Sequence, residues 1–193
     1  MKYRFNWNFP IAFSKHDSSK LYTYSNHVHL SIDEGHSWET ISPDLTRNDK
    51  SKLVSSGGPI TQDNTGVEYY ATIFAVDESP LQEGLIWVGS DDGLIHLTKD
   101  GGATWENVTP KKMPDWMMIN SIDASSFDSG TAYIAGTRYK LGDFTPYLYV
   151  TDDYGKNWKL ITDGIKDEHF TRVLRSDKVN KNILYLSLIH ISE

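Results

Sequence analysis

An octet that recurs three times constrains this chain more than any other feature. It reads Ser31-Ile32-Asp33-Glu34-Gly35-His36-Ser37-Trp38, then Thr98-Lys99-Asp100-Gly101-Gly102-Ala103-Thr104-Trp105, then Thr151-Asp152-Asp153-Tyr154-Gly155-Lys156-Asn157-Trp158. Each copy is Ser/Thr-x-Asp-x-Gly-x-x-Trp, and a pattern with four fixed positions does not recur three times by chance in 193 residues. The likeness extends outward. A β-branched residue stands three places after each Trp, at Ile41, Val108 and Ile161. A run with an aromatic precedes each octet (Leu21-Tyr22, Ile86-Trp87, Ala132-Tyr133), and a further apolar run lies upstream of it, at 9–13, 69–76 and 117–122.

These runs are short, rich in Val, Ile, Tyr, Phe and Trp, and bounded by Gly, Asp, Asn and Ser, which is the signature of strands and turns. Each unit reads as four antiparallel strands, the content of one propeller blade. The expected fold is all-β, a partial β-propeller of four-stranded antiparallel blades at 1–45, 66–110 and 115–163, with the start of a fourth at 168–185. The octets are spaced unevenly: Asp33 to Asp100 is 67 residues and Asp100 to Asp153 is 53. The excess falls in 46–65, polar and Gly-rich, which reads as a long inter-blade loop. A smaller insertion at 139–146 separates the second and third strands of the third unit. Long loops on a rigid β scaffold are where binding residues concentrate.

Within the octet every fixed residue has a structural task. The Asp accepts hydrogen bonds from backbone N–H groups of a tight turn, and the Ser or Thr adds a second bond. The Gly takes a positive φ without a Cβ clash, and the Trp buries its ring. Ser31, Asp33, Gly35 and Trp38, Thr98, Asp100, Gly102 and Trp105, and Thr151, Asp153, Gly155 and Trp158 are therefore assigned to the fold rather than to catalysis or metal binding.

Here the sequence resembles the Asp-box, or BNR, repeat of sialidases, sortilin-type VPS10 propellers and some glycoside hydrolases. Further segments, 4–11, 41–46, 57–61 and 66–70, resemble large bacterial proteins with a sortilin-N-terminal-like propeller. The resemblance runs to about Tyr185. It implies a propeller inside a larger exported protein, periplasmic or extracellular, with the remaining blades of the parent chain as its first partners. The end of the chain departs from the pattern: 186–193 resembles translated sequencing-adapter read-through, and the expectation is a truncated fragment with a non-native tail.

Composition removes several functions. With no cysteine there is no disulfide, no Cys-ligated zinc or iron–sulfur site and no cysteine nucleophile. Lys and Arg number 19 against 26 Asp and Glu, a net charge of −7 with no basic run, which argues against nucleic acid as a partner. No apolar run approaches the roughly 18 residues of a membrane helix, so no membrane insertion is expected. The first residues, Met1 to Trp7, do not form a signal peptide. Ser55-Ser56-Gly57-Gly58 lacks the Lys-Ser/Thr of a phosphate loop, and no Gly-x-Ser-x-Gly or His-Glu-x-x-His is present. No cofactor is expected. His27 and His29 alternate and so share a face, as zinc ligands do, but lack a visible third ligand; an ordinary surface pair is the default. Asp91-Asp92-Gly93 reads as a two-residue hairpin turn.

A propeller's first strands line its channel. Their starts bring together Arg4, Asn6, Trp7 and Asn8, then Glu68, Tyr69 and Tyr70, then Trp116, Met118 and Asn120, then His169, Thr171 and Arg172. Among these, Arg4, Asn6, Trp7, Glu68, Tyr70, Trp116, Asn120 and Arg172 are the candidates for holding a peptide, protein or glycan, since aromatics beside amides and cations stack on and hydrogen-bond such ligands. Packing between blades is the competing role for the aromatics. Three functions stay open: a binding module, a structural repeat without a ligand, and a glycoside hydrolase. The hydrolase alternative rests on Glu68, Tyr69 and Tyr70 with Arg4 and Arg172, a partial match to the Arg cluster, Tyr nucleophile and acid of sialidase chemistry. Xyloglucanase-type enzymes with the same repeat draw carboxylates from two propellers.

Overall fold

The computed structural model describes residues 2–63 and 65–188. Alternating apolar runs and Gly- or Asp-bearing turns produce three four-stranded meanders followed by a hairpin. The first holds β1 Ile11–Phe13, β2 Leu21–Tyr24, β3 Val28–Ser31 and β4 Glu39–Thr40. The second holds β5 Ile73–Glu78, β6 Ile86–Ser90, β7 Ile95–Thr98 and β8 Glu106–Asn107. The third holds β9 Met118–Ala124, β10 Ala132–Arg138, β11 Asp143–Thr151 and β12 Lys159–Leu160. A two-stranded sheet, β13 Thr171–Ser176 with β14 Leu184–Leu188, follows. All pairs are antiparallel between sequence neighbours. This is the propeller-blade architecture the repeats imply. Leu186, in the segment expected to be a non-native tail, pairs with Leu174 inside β14; 189–193 lie outside the described residues.

Each octet joins the third and fourth strands of its sheet, and its bonds repeat almost atom for atom. Ser31 Oγ donates to Asp33 Oδ1 and accepts from Gly35 N, both at 2.8 Å. Thr98 and Thr151 bond Asp100 and Gly102, and Asp153 and Gly155, in the same way at 2.8–2.9 Å. A position not marked in the sequence pattern completes the turn: Ser37, Thr104 and Asn157 each give a backbone N–H to one carboxylate oxygen and a side-chain donor to the other. These bonds pull the Asp33 and Asp100 carboxyls down to about 2 and lower Asp153 as well.

Apolar faces meet between sheets. Tyr22, Tyr24, Val28 and Leu45 pack on Ile73, Ile86 and Val88, joining the first two blades. Leu85, Trp87, Ile95 and Leu97 pack on Met117, Ile119, Ile122 and Ile134, joining the second and third. Leu174 of β13 packs on Ala135 and Leu148.

Two expectations need correction. The first strand of the second blade begins later than its apolar run suggests, because Ala71 has a φ of +59°, a left-handed value that interrupts extended backbone just before β5; Trp116, φ +62°, stands in the same conformation just ahead of β9. The turn between β6 and β7 holds three residues rather than two: Ser90 N–H bonds the Leu94 carbonyl at 2.9 Å, and Gly93 takes φ +92° to close the loop. No helix is long and apolar enough to cross a membrane among the described residues.

Candidate functional site

The segments that lead into the first strands line one open cleft of about 570 Å³. Asn6 and Trp7 come from the segment ahead of β1, and Glu68, Tyr69 and Tyr70 from the approach to β5. Trp116 and Met118 lie at the start of β9. Five of the candidates, Asn6, Trp7, Glu68, Tyr70 and Trp116, thus line one cleft, and except for Met118 its residues from these segments sit on irregular stretches leading into the first strands. Both insertions contribute too, Lys52 from 46–65 and Tyr139, Lys140 and Leu141 from the short 3-10 turn that opens 139–146.

Two backbone contacts lock the first wall. Asn6 and Glu68 form an antiparallel bridge, and Tyr69 N–H reaches the Phe5 carbonyl at 3.4 Å. Trp7, 65% exposed, donates its indole N–H to Glu68 Oε1 at 2.8 Å, which fixes the ring while leaving its face open. On the opposite wall Trp116 is flanked by cations, with the Arg47 guanidinium 5.0 Å and Lys52 Nζ 5.4 Å from its ring centre. Arg47 also pairs with Asp115 at 2.8 Å. A bulky side chain in a left-handed backbone is a local strain that the surroundings must hold, and this set of contacts holds it.

Asp91 lines the cleft and was not singled out by sequence beyond its turn role. Its carboxylate accepts from Thr72 N at 2.8 Å and Thr72 Oγ1 at 3.1 Å. Burial pushes this carboxyl up to about 7, with neighbouring Asp92 adding to the rise while the Thr72 bonds and Lys140 oppose it. Tyr70 is pushed up to about 12 by burial and by the charges of Asp91 and Asp92. The signal available in the sequence was the doubled Asp: two adjacent carboxylates in one hairpin raise each other's cost of ionisation.

Three candidates lie elsewhere. Arg4, 4% exposed, spends its guanidinium on the Ala71 carbonyl, Asp44, Thr46 and Asn48, clipping the N-terminal segment to the next blade. Asn120 accepts from Thr137 Oγ1 at 2.6 Å. Arg172 stands 5.7 Å from the centre of the Tyr139 ring, behind the cleft wall. The His27–His29 pair is also partly internal: His29 is buried, its ring nitrogens bonded to Ser25 Oγ and Thr40 Oγ1, and burial pulls its pKa down to about 4. Among the described residues no group of three His, Asp or Glu is placed to hold a metal.

No protein-family model matches the chain. No curated protein matches it either. Solved structures do. An ancestral GH74 enzyme is 16% identical over 96% of this chain and 22% of its own, with a TM-score of 0.67. A GH74 enzyme of Niastella koreensis is 18% identical over 91% of this chain and 24% of its own, TM-score 0.62. The Swd1 β-propeller domain of Myceliophteria thermophila is 10% identical over 93% of this chain and 49% of its own, TM-score 0.52. At these identities the likeness establishes the fold: the chain is a β-propeller module, and it spans about a quarter of the length of the GH74 enzymes it matches.

Proposed function

We propose that the chain is a binding module of a larger exported protein and that its cleft holds a saccharide chain. One observation carries this: Trp7, Tyr69, Tyr70, Trp116 and Tyr139 surround a single open cleft together with Asn6, Glu68 and Asp91. Flat rings accept the CH-rich faces of pyranose units, and carboxylates and amides pair with hydroxyl groups at their edges. Trp7 and Trp116 stand on elements fixed by backbone bridging and cation stacking, so little ordering is required when a ligand arrives. The resemblance to exported bacterial propellers supports the location.

Testing begins with the protein on paired glycan and peptide arrays, followed by calorimetry. Trp7→Ala and Trp116→Ala should each weaken saccharide binding roughly tenfold, the equivalent of about 1.4 kcal/mol. Selective capture of peptides, with no saccharide bound, would refute the glycan assignment.

A second reading, glycoside hydrolysis, is favoured by Asp91 and Glu68 lining the same cleft, with Asp91 holding its proton to about pH 7 as a general acid must. It requires turnover by the protein, abolished in Asp91→Asn or Glu68→Gln with binding retained.

A further inference from the structure

The two insertions that break the blade repeat, 46–65 and 139–146, both reach the cleft, and each delivers a lysine to it. Lys52 ends the 3-10 turn Lys50–Lys52, whose start is capped by Asp49, the carboxylate accepting from Ser51 N at 2.9 Å. Lys140 is the middle residue of the turn Tyr139–Leu141. That turn closes on Gly142 at φ +74°, with Gly142 N–H bonded to the Tyr139 carbonyl at 3.0 Å. Tyr139 lies flat on Phe170, ring centres 5.1 Å apart and planes within 12°. Both lysines therefore stand on ordered turns. Both are exposed, and among the described residues neither forms an ion pair.

The other charges of the cleft are spoken for. Arg138 is matched by Asp143 at 2.6 Å. Glu68 is bonded to the Trp7 indole at 2.8 Å, on the first wall. Asp91 is held by Thr72, and burial keeps it neutral at about pH 6. Positive charge is left uncompensated beside Trp116 and Tyr139, in a chain with 26 acidic residues against 19 Lys and Arg. A neutral sugar gains little from two solvated ammonium groups, whereas an anion on the same sugar gains their attraction. Lysine suits anions spaced along a chain, because it is a compact charge on a flexible stem with no fixed fork to satisfy.

We infer, granting the saccharide reading on which this rests, that the cleft selects an anionic saccharide whose carboxylate or sulfate groups face Lys52 and Lys140.

Calorimetry at about pH 6 with three oligosaccharides of equal length tests this: an oligogalacturonide, the same oligomer with its carboxyls reduced to alcohols, and a chondroitin sulfate oligomer. An acidic oligomer should bind about tenfold more tightly than the reduced one, as two exposed charge pairs worth about threefold each imply. Whichever acidic oligomer binds better identifies the anion. Lys52→Met with Lys140→Met should erase the preference, and Lys52→Arg with Lys140→Arg should keep it. Lys156→Met with Lys159→Met, on the octet turn and outer strand of blade three, should also keep it. Equal binding of the acidic and reduced oligomers would overturn the inference and leave the saccharide reading standing. A preference lost equally in the Lys156/Lys159 variant would overturn it too, by assigning the effect to overall charge. Binding of poly-glutamate with no saccharide bound would overturn both.

Discussion

The same tryptophan at the same octet position sits in different surroundings, and replacing it by alanine should expose the difference. Trp158 is half-buried, its ring edge-on to Trp87 with centres 6.1 Å apart and its indole N–H bonded to Val108. Its truncation removes an aromatic pair worth about 0.5–1.5 kcal/mol and a hydrogen bond worth about 1 kcal/mol. It also opens a cavity against the fully buried Trp87. Core Trp→Ala changes cost about 3–5 kcal/mol, and a half-buried ring belongs near the lower end, about 3. Trp38 gives up a bond within its own turn and a ring 43% exposed, so Trp38→Ala should cost under about 1 kcal/mol. For a chain of this length the gap corresponds to roughly 4–8 °C in Tm. Urea unfolding followed by circular dichroism, with equal slopes for both variants, measures it directly. Equal losses for Trp38→Ala and Trp158→Ala would refute the view that the octet Trp stabilises by docking on the preceding blade.

Other consequences follow from single groups. Because burial raises the Asp91 pKa to about 7, the native state keeps a proton that the unfolded chain has released above about pH 4. Stability present below pH 4 therefore declines as pH rises through 7, and Asp91→Asn, which retains an acceptor for Thr72 N–H, should flatten that decline in melts from pH 4 to 8. The octet carboxylates act oppositely. Asp33 and Asp100, lowered to about 2 by their turn bonds, contribute stability above the unfolded value of about 3.8 that is lost as pH falls toward 2. Asp33→Asn plus Asp100→Asn should reduce acid sensitivity while lowering stability at pH 6. Glu34 has φ +59° where blade two has Gly101, so Glu34→Gly should raise stability by about 0.5–1 kcal/mol in the same urea assay.

Blade order, strand pairing and the octet turns were legible because they rest on local chemistry repeated three times. Ser37, Thr104 and Asn157 escaped notice because three different residue types supply the same two donors. The cleft was half legible. Its aromatics stand out in the sequence, but the left-handed backbone of Ala71 and Trp116, beside Tyr70 and at the cleft wall, is announced by neither residue type. Arg4 looked like a ligand residue because a cation beside channel aromatics suits a ligand; its partners, Asp44, Thr46 and Ala71, come from about 40 to 67 residues away and bury it instead. Asp91 was read as turn chemistry; within the turn it is Asp92 that bonds Ser90, and only the three-dimensional fold shows the Asp91 carboxyl held by Thr72 and lining the cleft.

The proposed saccharide site assigns Trp7 and Trp116 to ligand contact, while Trp87, Trp105 and Trp158 pack within the fold. Indole N–H resonances of the 6 tryptophans report on each separately during titration with a panel of neutral and acidic oligosaccharides. Saccharide binding in the cleft requires the Trp7 and Trp116 signals to shift in a saturable way, with Trp87, Trp105 and Trp158 unmoved. No shift with any saccharide in the panel, or shifts confined to Trp38, would contradict it.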